Sequence, residues 1–316
     1  MRLLITGGAG FIGSNFARTA LAGPQQMDVR IIDDFSTGFR SNLAGLDAEV
    51  VSGSILDEEL LDRAMSGRDA VVHLAALPSV PRSVLEPLVT HAANATGTLK
   101  VLESARRHGV GHVVVASSCS VYGANPELPK DEFAWTRPLS PYSVSKLATE
   151  AYALAYQSTY GLSTLAFRFF NVYGPGQRHD HPYAAVLPRF VHAALAGDPV
   201  TIHGDGRQSR DFTYVGTVCA VLADAVRRSV TSDQPVNLAF GIRTDLLTLL
   251  AGLESVVDRP IGRHFVPARP GDIRHSQADN SRLRELFPAV AGYPLDAGLR
   301  TTVQWFRSNV PAAVAA

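Results

Sequence analysis

The sequence predicts an α/β protein built on a doubly wound parallel sheet, with a smaller α/β lobe toward its C-terminus. Two observations lead there. Short β-like runs alternate with helical stretches through the first half of the chain. A glycine-rich turn, Thr6-Gly7-Gly8-Ala9-Gly10-Phe11-Ile12-Gly13, joins the first of those runs to the first helix. Crossovers between parallel strands are right-handed, so a ligand belongs at the C-terminal ends of the strands.

Strands are expected at Arg2–Thr6, Val29–Asp33, Glu49–Ser52, Ala70–Leu74, His112–Ser117 and Thr164–Phe169. Helices are expected at Phe11–Leu21, Glu58–Met65, Leu85–His108 and Pro141–Tyr160. The last of these carries its own start signal, with Ser140 as the cap and Pro141 at the first helical position. After Val172 the texture changes. Gly174-Pro175-Gly176 breaks the alternation and shorter elements follow, so residues 1–172 read as a dinucleotide-binding domain to which later segments return. Residues 173–316 read mainly as a substrate-binding lobe, and Val310–Ala316 as a frayed tail.

Composition narrows the function. Among 316 residues, 46% are hydrophobic and 18% charged, which is ample for a core. Lys+Arg and Asp+Glu balance at 29 each, so nothing points to nucleic acid or an anionic membrane as a partner. Two cysteines, Cys119 and Cys219, without CxxC spacing argue against a disulfide framework or a metal site. With no signal-peptide core and no apolar run long enough to span a bilayer, a cytoplasmic protein is expected.

Gly7, Gly10 and Gly13 follow a strand and open a helix. Glycine permits close backbone approach to a pyrophosphate, and the helix N-terminus offers N–H groups and a positive dipole. Asp33 ends the next strand, where a carboxylate accepts hydrogen bonds from the adenosine ribose and repels a 2′-phosphate, which favours NAD over NADP.

The chemistry sits in Ser140-Pro141-Tyr142-Ser143-Val144-Ser145-Lys146. Tyr142 and Lys146 fall one helical turn apart on one face. A phenol titrating near ~10 is a poor base at neutral pH. A neighbouring ammonium and an oxidised nicotinamide both favour the phenolate, so Lys146 is expected to lower the Tyr142 pKa. Ser118, after the strand His112–Ser117, is placed to share the substrate proton with Tyr142. Cys119 reads as a packed residue rather than a nucleophile.

These residues resemble the extended short-chain dehydrogenase/reductase family, and within it the nucleotide-sugar 4-epimerases. The resemblance runs nearly end to end through TGGAGFIG (6–13), DDFSTG (33–38), HLAAL (73–77), NATGT (94–98), SSCSVYG (117–123), PYSVSK (141–146), RFFNVYGPGQ (168–177), GDGRQSRDFTYV (204–215) and RPGDIRHSQAD (269–279). It implies a Rossmann fold, NAD as cofactor, a UDP-sugar substrate and a homodimer through Leu85–His108 and Pro141–Tyr160. It implies Tyr142 as base, Lys146 on the nicotinamide ribose and Ser118 as hydroxyl partner. Phe11, Ile12, Asp34, Ser36, Gly38, Ile55, Leu74, Ala75, Ala76, Asn94 and Phe169 match positions lining the NAD site. Ser54 stands where the family usually has an Asp that contacts adenine. Asn171, Arg210 and Arg269 match groups that hold a nucleotide diphosphate, a task suited to multidentate cations. Val80, Cys119, Ser120, Val186, Leu187, His203 and Asp272 match other positions on the substrate side.

The resemblance also ranks reactions. Dehydratases of the family have an Asp-Glu pair where this chain has Cys119 and Ser120, and decarboxylases place a Glu at Ser120, which favours simple epimerisation through a 4-keto sugar. Ser276 stands where a tyrosine restricts some epimerases, so a small side chain leaves room for a 2-N-acetyl group. Arg178 falls near a carboxylate-binding arginine of uronate-specific relatives, which keeps UDP-glucuronate open behind neutral UDP-hexoses and their N-acetyl forms. An NAD-binding sensor without catalysis is the remaining alternative, though such proteins commonly lose the Tyr or the Lys.

Overall fold

The computed structural model describes residues 1–22, 26–180, 184–268 and 273–309. Six strands come from the first half: β1 (Arg2–Thr6), β2 (Asp28–Asp33), β3 (Glu49–Ser52), β4 (Ala70–His73), β5 (His112–Ser118) and β6 (Thr164–Phe169). The second half supplies β7 (Val172–Tyr173), β8 (Val200–His203), β9 (Ser209–Asp211), β10 (Thr213–Tyr214), β11 (Val236–Leu238), β12 (Arg243–Asp245) and β13 (Arg263–Val266). The main sheet has seven parallel strands in the order β11-β6-β5-β4-β1-β2-β3. From β1 the chain winds outward to β3, then returns to β4 on the other side of β1 and winds the opposite way. That reversal makes β1 and β4 the switch point, whose C-terminal crevice is the natural ligand site.

Helices cover both faces. On one lie α1 (Phe11–Ala22) and α8 (Val215–Arg228), joined by Phe16, Ala17, Ala20, Val218 and Leu222. On the other lie α2 (Glu58–Met65), α5 (Gly97–Arg107) and α6 (Pro141–Tyr160), packed through Leu61, Met65, Leu102, Ala105, Ala153 and Tyr156. Covered on both sides, β4 and β5 are continuous apolar runs, such as Val113-Val114-Val115, with no alternation. A separate cluster joins α7 (Val186–Ala196), α9 (Leu246–Val257) and α11 (Leu295–Asn309) over the paired β8 and β13, with Phe190, Leu250, Leu253, Val303 and Phe306 at its centre. Although they come from the second half, α8 and β11 build the main sheet layer.

One expected element is broken. Leu85–His108 is not a single helix but α3 (Val80–Leu85), α4 (Pro87–His91), a π-helical turn over Ala92–Thr96, and then α5. Pro87 disfavours helical geometry in the residue before it, and Glu86 leaves the helix with φ −128° and ψ 62°. The π turn brings Asn94 inward, where Oδ1 accepts from Leu77 N (2.7 Å) and Nδ2 donates to Ser145 Oγ (2.9 Å). Helix α6 begins and ends as its sequence directs: Ser140 Oγ accepts from Ser143 N at 3.1 Å, and Gly161 closes it in the left-handed region.

Candidate functional site

The glycine turn occupies the switch point. Gly7 has φ +71°, and a Cβ there would stand 2.6 Å from Ala75 N, so only glycine lets the turn lie against the end of β4. At Gly13 a Cβ would come within 2.2 Å of Gly7 O, which fixes glycine inside the first turn of α1. Bulk is thus excluded where a dinucleotide's phosphates approach a helix N-terminus, and the residues fit that group.

Asp33 does more than end β2. Its Oδ2 accepts from Ala9 N and its Oδ1 from Phe35 N, each at 2.8 Å, so it ties the glycine turn to the loop after β2. Burial raises its pKa against these hydrogen bonds. Each oxygen keeps a second lone pair for a ribose hydroxyl. Beyond it, Asp34 Oδ1 accepts from Ser36 N (2.9 Å), and the loop returns past Gly38 to Ala9 through the Phe39 N bond to Ala9 O (3.2 Å). Ser54 spends its hydroxyl locally, accepting from Leu56 N at 3.2 Å. Ile55 is buried in the core, while Leu74, Ala75, Ala76 and Phe169 are half-buried at the strand ends.

Tyr142, Lys146 and Ser118 converge. The Ser118 side chain acts on the Tyr142 phenol, favouring its ionised form, and Lys146 Nζ donates to Ala116 O at 2.8 Å. Burial pushes Tyr142 up to about 12, with Ser118 acting to lower it, and pulls Lys146 down to about 8.

On the other side of Ser118, four distant segments meet at Cys119. The Asn171 backbone, the Ser276 side chain and the Arg210 charge all act on its thiol, favouring the thiolate. Burial pushes it up to about 11, so it stays a thiol. Asn171 sits at φ +21°, a conformation a non-glycine residue seldom adopts, with Nδ2 donating to Asp211 O at 3.3 Å. Arg210 Nη1 donates to the carbonyls of Ser209 (2.9 Å) and Arg274 (3.3 Å). The Ser120 hydroxyl is buried without a hydrogen-bond partner among the described residues.

The other expected substrate residues lie on other elements or outside the described residues. Arg178 pairs with Asp180 (Nε–Oδ1 2.9 Å) and stacks 4.4 Å over Phe39, beside the loop that follows β2. His203 lies on β8 with Nδ1 3.3 Å from Pro267 O. Leu187 packs in the cluster under α7 and Val186 lies against it, while Val80 is exposed at the start of α3. Arg269, Asp272 and the tail from Val310 lie outside the described residues.

Several contributors escaped the sequence reading. Thr6 Oγ1 lies 2.7 Å from His73 Nδ1, whose Nε2 lies 3.0 Å from Thr98 Oγ1, a chain that reaches Thr149 on α6 at 3.1 Å. Burial, then the Lys146 charge, pulls His73 down to about 3, so it is neutral. Asp211 is buried and accepts from Gly241 N (3.0 Å) and Ala278 N (3.2 Å), with burial pushing it up to about 6. A charged residue inside an apolar run, as at Arg168 in β6, was the available signal for this buried polar layer.

Among the described residues there is no group of three or more His, Cys, Asp or Glu side chains poised to hold a metal, and no helix long and apolar enough to cross a membrane. A family model described as the NAD dependent epimerase/dehydratase family matches residues 3–239. The UDP-glucose 4-epimerase of Mycolicibacterium smegmatis is 37% identical over 318 residues, covering 98% of this chain and 99% of that one. A UDP-N-acetylglucosamine 4-epimerase from Methanobrevibacter ruminantium, solved with UDP-N-acetylmuramic acid, superposes with a TM-score of 0.92 at 35% identity over 97% of this chain and 98% of that one. The Thermus thermophilus UDP-glucose 4-epimerase, solved with NAD, gives 0.87 at 34% identity over 98% and 100%. Relatives named as dTDP-glucose 4,6-dehydratase and probable UDP-glucuronate 4-epimerase also match across 98% of the chain.

The protein is therefore an enzyme with an NAD-binding α/β fold. It belongs to the NAD-dependent epimerase/dehydratase family, and its cofactor is NAD.

Proposed function

We propose that this enzyme interconverts C4 epimers of a UDP-sugar, with UDP-glucose/galactose and their N-acetyl forms first. The observation that carries the reading is the convergence of Tyr142 and Ser118 beside buried Lys146, whose Nζ donates to Ala116 O, with the next residues, Cys119 and Ser120, bringing no carboxyl group. Elimination of water or loss of CO2 calls for a further acid or base near the sugar. A thiol held up to about 11 and a serine hydroxyl supply neither at neutral pH.

In this reading Gly7, Gly10, Gly13 and the start of α1 hold the pyrophosphate of NAD, and Asp33 and Lys146 its two riboses. Bound NAD supplies a reversible two-electron acceptor. Tyr142 takes the proton of the sugar 4-hydroxyl, with Ser118 sharing it, and returns it once the 4-keto sugar has turned over. Asn171, Arg210 and Arg269 keep the diphosphate while the sugar turns. Ser276, small and next to Cys119, leaves room beside C2. UDP-glucuronate ranks behind because Arg178, its intended partner, already holds Asp180.

A homodimer fits the apolar side chains left exposed on α3, α4 and α6, among them Leu85 at 72%, Leu88 at 83% and Val144 at 54%. Two unpaired cysteines fit a reducing cytoplasm.

Turnover in D2O tests the chemistry. The epimerised sugar is expected to keep its original hydrogen at C4. Solvent deuterium at C4, or a dehydrated product, would overturn the proposal.

A further inference from the structure

The catalytic half of α6 lacks the usual means of fixing a helix on a sheet. Its buried residues there are Ser143, Ser145, Lys146, Thr149 and Glu150, and the first buried apolar residue is Ala153. Apolar packing holds a helix down without strong directionality, and in the proximal half it reduces to the partly buried Leu147. There, position along the axis comes mainly from directional polar bonds.

Those bonds centre on one ion pair. Glu150 follows Lys146 by four residues and Tyr142 by eight, so the three share a face. Arg168 of β6 grips the Glu150 carboxylate with both arms of its fork, Nη2–Oε1 2.7 Å and Nε–Oε2 3.0 Å. The side chains are only 5% and 3% exposed. Ser117, the residue before Ser118, lies with Oγ 2.7 Å from Glu150 Oε2 and 3.1 Å from Lys146 O, so it locks the helix to the end of β5. Arg168 in turn donates to Glu132 O (3.2 Å) and lies 4.7 Å over the Tyr122 ring. A buried ion pair is weak evidence for stability, since apolar side chains of similar volume often serve as well, whereas its geometry is specific.

We propose that the Glu150–Arg168 pair is a positioning device that sets the register of α6 on β5, bringing the Tyr142 hydroxyl onto Ser118 and Lys146 Nζ onto the Ala116 carbonyl. The inference rests on the catalytic reading of Tyr142 and Lys146 given above. Neither residue of the pair touches the reacting atoms, so removal acts through the alignment of those that do.

The test uses the full-length enzyme with NAD, and compares wild type, Tyr142→Phe, and the double variant Glu150→Leu/Arg168→Met. Replacing both charges leaves no lone buried ion, so the double variant keeps a melting temperature near wild type. Its KM stays within about twofold while kcat drops about tenfold or more, the signature of misaligned chemistry with binding intact. The acid limb of its kcat profile moves to higher pH, because the Ser118 influence that lowers the phenol is weakened while burial still raises it, the titratable neighbour Cys119 staying neutral there. Arg168→Lys, which keeps the charge but loses the fork, shows the same split to a lesser degree and serves if the double variant does not fold. Either folded variant with wild-type kcat and pH profile would overturn the proposal. A wild type that epimerises nothing, or an active Tyr142→Phe, would instead overturn the catalytic reading beneath it.

Discussion

The two sides of the crevice are built on different principles. The proposed cofactor side is mostly backbone: a glycine turn, a helix N-terminus and Asp33 clamped between Ala9 and Phe35, all within one stretch of chain. The proposed substrate side draws on Cys119, Asn171, Arg210 and Ser276, which are remote in sequence and come together only through folding. A local backbone site commits the protein to one cofactor. A site pooled from distant segments can change its sugar by single substitutions without disturbing the first.

Tyr142→Phe breaks the joint between the sides and has the largest effect. Turnover falls about 100- to 10,000-fold, as expected for loss of a general acid/base, while nucleotide released on denaturation shows NAD still bound. Lys146→Met comes next and separates function from stability. Burial lowers Lys146 to about 8 from its ordinary value of 10.5, so the folded state carries a desolvated ammonium below pH 8, and that cost disappears as pH rises toward 10.5. The variant loses most activity yet gains on the order of 1–2 kcal/mol at pH 7, after the lost bond to Ala116 O is set against the relief. The gain shrinks as pH rises, so a melting-temperature difference that is constant from pH 7 to 10 would contradict this origin.

Arg210→Ala touches only the substrate side. UDP affinity by calorimetry falls by about 1.5–3 kcal/mol, the scale of a charged hydrogen bond, with NAD content unchanged. Loss of NAD alongside UDP would erase the distinction between the sides. Ser276→Tyr is the mildest change, lowering kcat/KM for N-acetylated sugars while sparing UDP-glucose. Equal loss on both would move Ser276 away from C2.

The same contrast governed what could be read from sequence. Helix α6 announces itself because Ser140, Pro141 and Gly161 are local signals, and the parallel strands do so because burial on both faces leaves continuous apolar runs. The break at Pro87 and the π turn at Ala92–Thr96 were missed. A helical period carries across them, and the inward turn of Asn94 answers to partners at Leu77 and Ser145 that sequence does not place nearby. The bonds of Asp33 to Ala9 and Phe35 were not legible, since a carboxylate near a glycine turn reads as a ligand contact first. In the second half the strands span only two to four residues, as in β7, β9 and β12, too short for any period to mark them.

The most direct test is a panel of UDP-glucose, UDP-N-acetylglucosamine and UDP-glucuronate, incubated with the purified enzyme and resolved by epimer, with bound NAD assayed before and after. Conversion of at least one neutral sugar to its C4 epimer is expected, with NAD content unchanged. An NAD-loaded protein that leaves all three intact, or releases water or CO2 from any of them, would contradict it.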